Sequence, residues 1–214
     1  MVSAMKDVTS GSEGARRLLE QLLAGDRQAF DPLFAHYRAS LRQIVELRLD
    51  RHLRSRVDAS DVVQEAQLDA LGRLDDYLER RPMPFGLWLR KTTHERLLKI
   101  RRQHVETARR ALGREIPLPD RSSLQLAQQL LASGSTPSQQ VARRELASRV
   151  RQAVAKLPDT DREILLMRNF EGLSNQEVAD VLDIAPATVS TRLGRALLRL
   201  RGLLLDSGLT ESQL

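Results

Sequence analysis

The sequence predicts an all-α protein built from two small helical domains joined by a linker. Three observations point there. Apolar residues recur at spacings of three and four along most of the chain, the mark of helices with one buried face. Aromatic residues make up only 3% of a chain that is 41% hydrophobic, so the cores should consist mostly of Leu, Val, Ile and Ala; Leu and Ala also favour helix. Between residues 116 and 140 the composition turns to Ser, Gly, Thr and Pro, which divides the pattern in two.

Taken in order, residues 1–15 include Ser10, Gly11, Ser12 and Gly14 and read as a disordered N-terminus. A short amphipathic helix over 16–24 stops at Gly25, and Asp26 can cap the next one. Pro32 falls early in that next helix, where proline is tolerated. Phe30, Leu33, Phe34, Tyr37, Leu41, Ile44 and Val45 form its apolar face. Asp58 or Ser60 can cap the helix after it, whose expected stripe is Val62, Val63, Ala66, Ala70, Leu71, Leu74 and Leu78. The run Arg80-Arg81-Pro82-Met83-Pro84 breaks it. Another helix starts near Phe85, carries Trp88, Leu89, Leu97 and Ile100, and runs on into basic sequence. Residues 16–114 are thus expected to form one bundle, 115–138 the linker with a short helix over 124–131, and 139–207 the second domain.

In that second domain Val141, Leu146, Val150, Val154 and Leu157 continue a helical pattern until Pro158 ends it. Asp159 or Thr160 can cap the next helix, which holds Ile164, Leu165, Leu166 and Met167 and stops at Gly172. Ser174-Asn175-Gln176-Glu177 has the form of a capping box. It opens a helix over 174–182 with Val178, Ala179 and Leu182 inward. Asp183-Ile184-Ala185 reads as a turn, and Pro186 sits where proline suits a first helical position. Two short helices across such a turn make a helix-turn-helix. The second helix should bury Val189, Leu193, Leu197, Leu200 and Leu204 and carry Arg192, Arg195 and Arg199 on another side, with Thr188, Ser190 and Thr191 at its start. A recognition helix needs that arrangement: first residues for base edges, cations further along for phosphates. An ordinary helical hairpin with solvated arginines is the plainer alternative.

Charge placement supports a polyanionic partner. The formal net charge is +6, and residues 90–114 hold nine basic residues (Arg90, Lys91, Arg96, Lys99, Arg101, Arg102, Arg109, Arg110, Arg114) against Glu95 and Glu106. From Thr188 to Arg201 there are four arginines and no acid. Cysteine is absent, which excludes disulfides and cysteine–zinc sites. No apolar run suggests a signal peptide or a membrane span, so a cytoplasmic protein without membrane contact is expected. Catalytic residues, metal ligands and cofactors are not expected either. No nucleotide-loop, zinc-protease or nucleophile-elbow string is present, and His36, His52, His94 and His104 are scattered. His94 and His104 could add charge beside nucleic acid. Asp75, Asp76, Asp159 and Asp161 read as helix-end acids.

Asp58-Ala59-Ser60-Asp61-Val62-Val63-Gln64-Glu65 places Asp61, Gln64 and Glu65 on one polar edge of a helix. Alone, it reads as a solvated helix start. Its order in the chain gives it more meaning: this string, then Phe85-x-x-Trp88-Leu89, a basic helix, a linker, and Leu157-Pro158-x-x-x-Arg162-Glu163-Ile164 before a helix-turn-helix. That order resembles the sigma-70 family, and more narrowly its extracytoplasmic-function (ECF) group, which keeps sigma domains 2 and 4. The resemblance covers roughly residues 16–110 and 137–205.

The resemblance implies a sigma factor that lends promoter recognition to RNA polymerase. Asp61, Gln64 and Glu65 match the region that docks on core RNA polymerase. Phe85, Trp88, Glu95, Arg96, Lys99 and Arg102 match the segment that meets the −10 element as melted strand. Thr188, Ser190, Thr191, Arg192, Arg195 and Arg199 match the helix that reads the −35 element as duplex. An anti-sigma factor or other regulator is a further implied partner. For Trp88, packing in the core competes with base stacking. Glu95 and Lys99 depart from the family's usual Asn and Asn or Asp, and Glu95 either accepts from a cytosine amino group or points away from DNA. Ala185, Ser190 and Gly194 depart too, which affects the promoter sequence rather than the class. The Ser- and Thr-rich linker is a plain tether or a modification site. Two other functions compete: a stand-alone helix-turn-helix regulator, whose N-terminal half would offer a pocket or dimer face, and a helical adaptor without a DNA role.

Overall fold

Side-chain caps, prolines and left-handed residues mark where several of the helices start and stop. The computed structural model describes residues 13–49, 53, 56–109, 148–150, 152–154 and 156–209, with side chains of the basic helix followed to Gln103. Residues 1–12, the linker read at 115–138 with its short helix, Val141, Leu146, His52 and the side chains of His104, Glu106, Arg109, Arg110 and Arg114 lie outside that description. Every described element is helical or a turn. The helices belong chiefly to two compact units.

The first unit opens with α1 (Glu13–Leu23). Gly25 ends it at φ +99°, a left-handed conformation that costs glycine little. The Asp26 carboxylate then accepts from the Gln28 N–H at 3.0 Å and starts a 3-10 turn, Arg27–Ala29, which leads into α2 (Phe30–Arg48). All seven expected apolar residues of α2, Phe30 to Val45, are buried. Of the two candidate caps, Asp58 caps α3 (Ala59–Gly72), accepting from the Ser60 N–H at 2.6 Å. Arg38 donates to Gln67, which donates to Asp31, so a polar chain ties α2 to α3.

The stripe expected to run from Val62 to Leu78 is two helices, not one. Arg73 leaves helical geometry at φ −111° and ψ 10°, and α4 (Leu74–Arg80) restarts after it. Leu71 is accordingly not core: it is 47% exposed. Helical geometry explains why, since Ala70 lies about 20° from the direction of Val63 and Leu71 about 80°. Arg81 closes α4 in the left-handed region at φ 44°. Pro82 and Pro84 supply no N–H to continue the ladder, and α5 (Phe85–Arg109) begins afresh.

Composition understated the aromatic share of this core. Phe85 stands at the centre of a cluster, 5.4 Å from Tyr77, 5.6 Å from Trp88, 6.0 Å from Tyr37 and 6.5 Å from Phe30, centroid to centroid. Tyr77 stacks on Trp88 at 4.4 Å. Each such pair adds about 1 kcal/mol beyond burial. The scarce aromatics are therefore concentrated where the loop 81–84 meets α5. Burial pushes the Tyr77 phenol up to about 12, so it stays protonated and donates to the Met83 carbonyl at 3.1 Å.

In the second unit, Val150, Val154 and Leu157 are buried ahead of α6 (Asp159–Leu165). Neither Asp159 nor Thr160 caps that helix. Pro158 holds the cap position in extended conformation, and Asp159 is the first helical residue, paired with Arg162 at 3.1 Å. The chain widens into a π-helical turn, Leu166–Phe170, and Gly172 ends it at φ +67°. The capping box of α7 (Asn175–Leu182) is complete: the Glu177 carboxylate accepts from the Ser174 N–H at 2.7 Å and the Ser174 hydroxyl from the Glu177 N–H at 3.2 Å. Asp183 turns the chain at φ 57°, and α8 (Pro186–Asp206) starts on Pro186. Its buried line is Val189, Ala196, Leu200 and Leu204, with Leu193 half-buried. Leu197, expected inside, is 46% exposed. Ala196 takes that place because it lies about 20° from the direction of Val189, whereas Leu197 lies about 80° away.

Candidate nucleic-acid interface

Three sets of side chains correspond to the expected contact surfaces, and each is built by a helix start or by two packed helices. On α3, the Asp58 cap sets the register that leaves Asp61, Gln64 and Glu65 exposed while Val62, Val63 and Ala66 go inward. Glu65 is not an isolated acid. Arg96 of α5 donates through Nε to Asp69 at 2.6 Å and through a second nitrogen to the other Asp69 oxygen, and it lies 3.4 Å from Glu65. Asp69's hydrogen bonds hold the Arg96 guanidinium above its already high value. Arg96 thus fastens α5 to the polar edge of α3.

The second set lies on α5, and the structure separates its members. Phe85 and Trp88 are buried, 2% and 8% exposed, inside the aromatic cluster. Glu95 accepts from Arg73 at 2.8 Å. The Arg73–Glu95 and Arg96–Asp69 pairs flank a groove of about 440 Å³ that also involves Leu68, Gly72 and Lys99. Lys99 and Arg102 are exposed. Two members of the basic run are not surface charges: Arg90 is 1% exposed and His94 4%. The reading of His94 as a surface charge therefore fails. Its position places it on the inner side of α5 with Arg90, Leu97 and Ile100. Arg73 and Asp69 were missed because neither shares a sequence pattern with Glu95 or Arg96. Only the packing of α3 on α5 brings them together.

The third set is on α8. Ser190 and Thr191 are exposed, and Thr188 and Arg192 are half-buried. Thr191 donates to the Ala187 carbonyl one turn back at 3.0 Å. Ser190 accepts from the Asn175 side chain at 2.8 Å, which ties the start of α8 to the start of α7. Arg195 and Arg199 both donate to Asp161 of α6, at 3.0 and 2.5 Å. Asp161, read as a helix-end acid, lies in the first turn of α6 and is fully buried. Burial works to raise its carboxyl, but the hydrogen bonds and charges of Arg195 and Arg199 outweigh that, and the group sits below the usual carboxylate range. A buried carboxylate facing two guanidiniums is the kind of pairing that lets a charge remain inside a protein.

No described helix is long and apolar enough to cross a membrane. Residues 147–200 match the family described as Sigma-70, region 4. The chain is 32% identical to the RNA polymerase sigma factor CnrH of Cupriavidus metallidurans over 197 residues, 90% of this chain and 95% of the relative. It is 28% identical to the ECF RNA polymerase sigma factor SigW of Bacillus subtilis over 192 residues, 89% of this chain and 97% of the relative. Among solved structures, its fold is similar to that of CnrH in complex with the cytosolic domain of CnrY, with a TM-score of 0.55 at 23% identity, covering 91% of this chain and 99% of that one.

Proposed function

The chain belongs to the sigma-70 family, in its extracytoplasmic-function group, and we propose that it recruits core RNA polymerase through α3 and reads promoter DNA with α5 and α8. The observation that carries this reading is the match to CnrH, which spans both units rather than the helix-turn-helix alone. A stand-alone regulator would share only the latter.

In this reading Asp61, Gln64 and Glu65 dock on the polymerase, with Arg96 fixing the edge to which they belong. Lys99 and Arg102 hold phosphates of the melted −10 strand, where cations and unstacked bases supply most of the affinity. Glu95 does not repel that strand, because Arg73 neutralises it. Phe85 and Trp88 act by shaping the loop 81–84 from below. On α8, Thr188, Ser190, Thr191 and Arg192 face the −35 bases while Arg195 and Arg199 meet backbone phosphates. The protein needs no cofactor and performs no catalysis; bond formation belongs to the polymerase, in the cytoplasm. CnrH was solved bound to the cytosolic domain of CnrY, and an anti-sigma partner of comparable role is part of the proposal.

The test is a pull-down with core RNA polymerase, comparing the native chain with a folded Asp61→Ala, Gln64→Ala, Glu65→Ala variant. Retention of the native chain and loss of the variant is the expected result. Equal retention of both would move the docking surface away from α3, and retention of neither would favour a stand-alone regulator.

A further inference from the structure

The recognition helix rests two of its arginines on one inward-facing carboxylate. Asp161 has no exposed surface, yet it lies 34 and 38 residues before the arginines it receives. Its two oxygens are divided between them: Oδ1 takes Nη2 of Arg195, and Oδ2 takes Nη1 of Arg199. Both arginine side chains keep about half their surface open, 49% and 47%. A guanidinium carries five N–H donors in a rigid fork. One donor from each is used on Asp161, which leaves the fork oriented and able to serve a second acceptor.

We propose that Asp161 is a positioning residue of the DNA-reading helix, holding the Arg195 and Arg199 forks so that they meet phosphates in one register. The inference rests on the reading of α8 as the −35 helix. Arginines already oriented lose less side-chain freedom when DNA arrives, which favours the one duplex geometry they fit. The carboxylate also cancels one of the two positive charges, which lowers the sequence-independent attraction common to all DNA. Asp161 thereby trades bulk affinity for discrimination, without touching DNA itself.

The experiment uses RNA polymerase holoenzyme reconstituted with the full chain and a library of randomised duplexes. Enrichment of the selected −35 sequence over bulk duplex is measured, together with the salt dependence of bulk-duplex binding. Asp161→Asn keeps the shape and removes the charge. It should lower the enrichment about tenfold and steepen the salt slope by about one phosphate equivalent. Arg195→Lys with Arg199→Lys keeps both charges and loses the forks; it should lose the same enrichment without a steeper slope. If Asp161→Asn fails to fold, Asp161→Glu takes its place: it keeps the charge but displaces the carboxylate, and should lose the same enrichment without a steeper slope. In an Arg195→Ala, Arg199→Ala background, Asp161→Asn should cause no further loss, because it acts through those two side chains.

Unchanged enrichment in the folded Asp161 variant, or in the double-Lys variant, would overturn the proposal. So would an Asp161→Asn loss that persists undiminished in the double-Ala background, since Asp161 would then act on the fold alone. If the native holoenzyme selects no sequence under α8, the −35 reading falls, and the positioning role falls with it.

Discussion

Asp161 also sets an acid limit on the second unit. Its folded carboxyl titrates below the ordinary value because two arginine donors outweigh the effect of burial. A group depressed on folding adds stability above its unfolded value and loses it as pH falls through the folded one. The native chain should therefore melt above Asp161→Asn near about pH 6, and the gap should narrow as pH falls through and below the ordinary carboxylate range. Thermal unfolding followed by circular dichroism across that range checks this. A gap of constant size would mean that ionisation of Asp161 contributes nothing to folding. Arg96 is the counterpart in the first unit: a single guanidinium serving Asp69 and Glu65, it is itself expected to touch DNA and pairs with a residue expected to touch polymerase. In both units part of the proposed contact surface, Arg96 with Glu65 and Arg195 with Arg199, is held by ion pairs within the fold, so the geometry of those side chains is set before any partner arrives.

At the scale of elements, the helix starts carry much of the specification. Ser174→Ala removes one half of the α7 capping box and should cost about 1 kcal/mol, read as a shift in the urea midpoint. Its effect on DNA selection should exceed its effect on polymerase retention, because the start of α7 also holds Ser190 through Asn175. Equal loss of both would mean that the cap supports the whole chain rather than the reading helix. This capping box, the Asp26 and Asp58 caps, the glycine stops at Gly25 and Gly172 and the proline start of α8 were all legible in the sequence, because each depends on neighbours a few residues away. Leu71 and Leu197 were misplaced because a spacing of four drifts by about 40° per step, and two such steps carry a side chain off the core face. The break at Arg73 and the π-helical turn at Leu166–Phe170 left no comparable signal. The contact residues themselves were legible as types and faces. Their partners were not: Asp161 with Arg195 and Arg199, Arg73 with Glu95, and Asp69 with Arg96 are joined only by tertiary packing across 22 to 38 residues.

For the whole molecule, the division into two units has a thermodynamic meaning. Each proposed DNA surface is small: a few exposed cations on α5, and one helix face on α8. Two weak readers gain when something holds them at the separation of their two DNA elements, because the second contact then becomes intramolecular. In the proposed function, core polymerase does that holding. The free chain should accordingly bind its own promoter duplex at least about 100-fold more weakly than the holoenzyme at the same ionic strength. Its residual binding should be sequence-tolerant and should fall steeply with added salt, as phosphate contacts alone require. Fluorescence anisotropy with a labelled promoter duplex and a scrambled duplex, each with and without core polymerase, measures both quantities. Nanomolar, sequence-selective binding by the free chain would show that one unit reads DNA unaided, and α8 with its capped partner helix would then act as an ordinary repressor head. Equal weakness on both duplexes in the free state, with selectivity appearing only on the polymerase, is the outcome expected of a chain whose surfaces are each too small to specify a site alone.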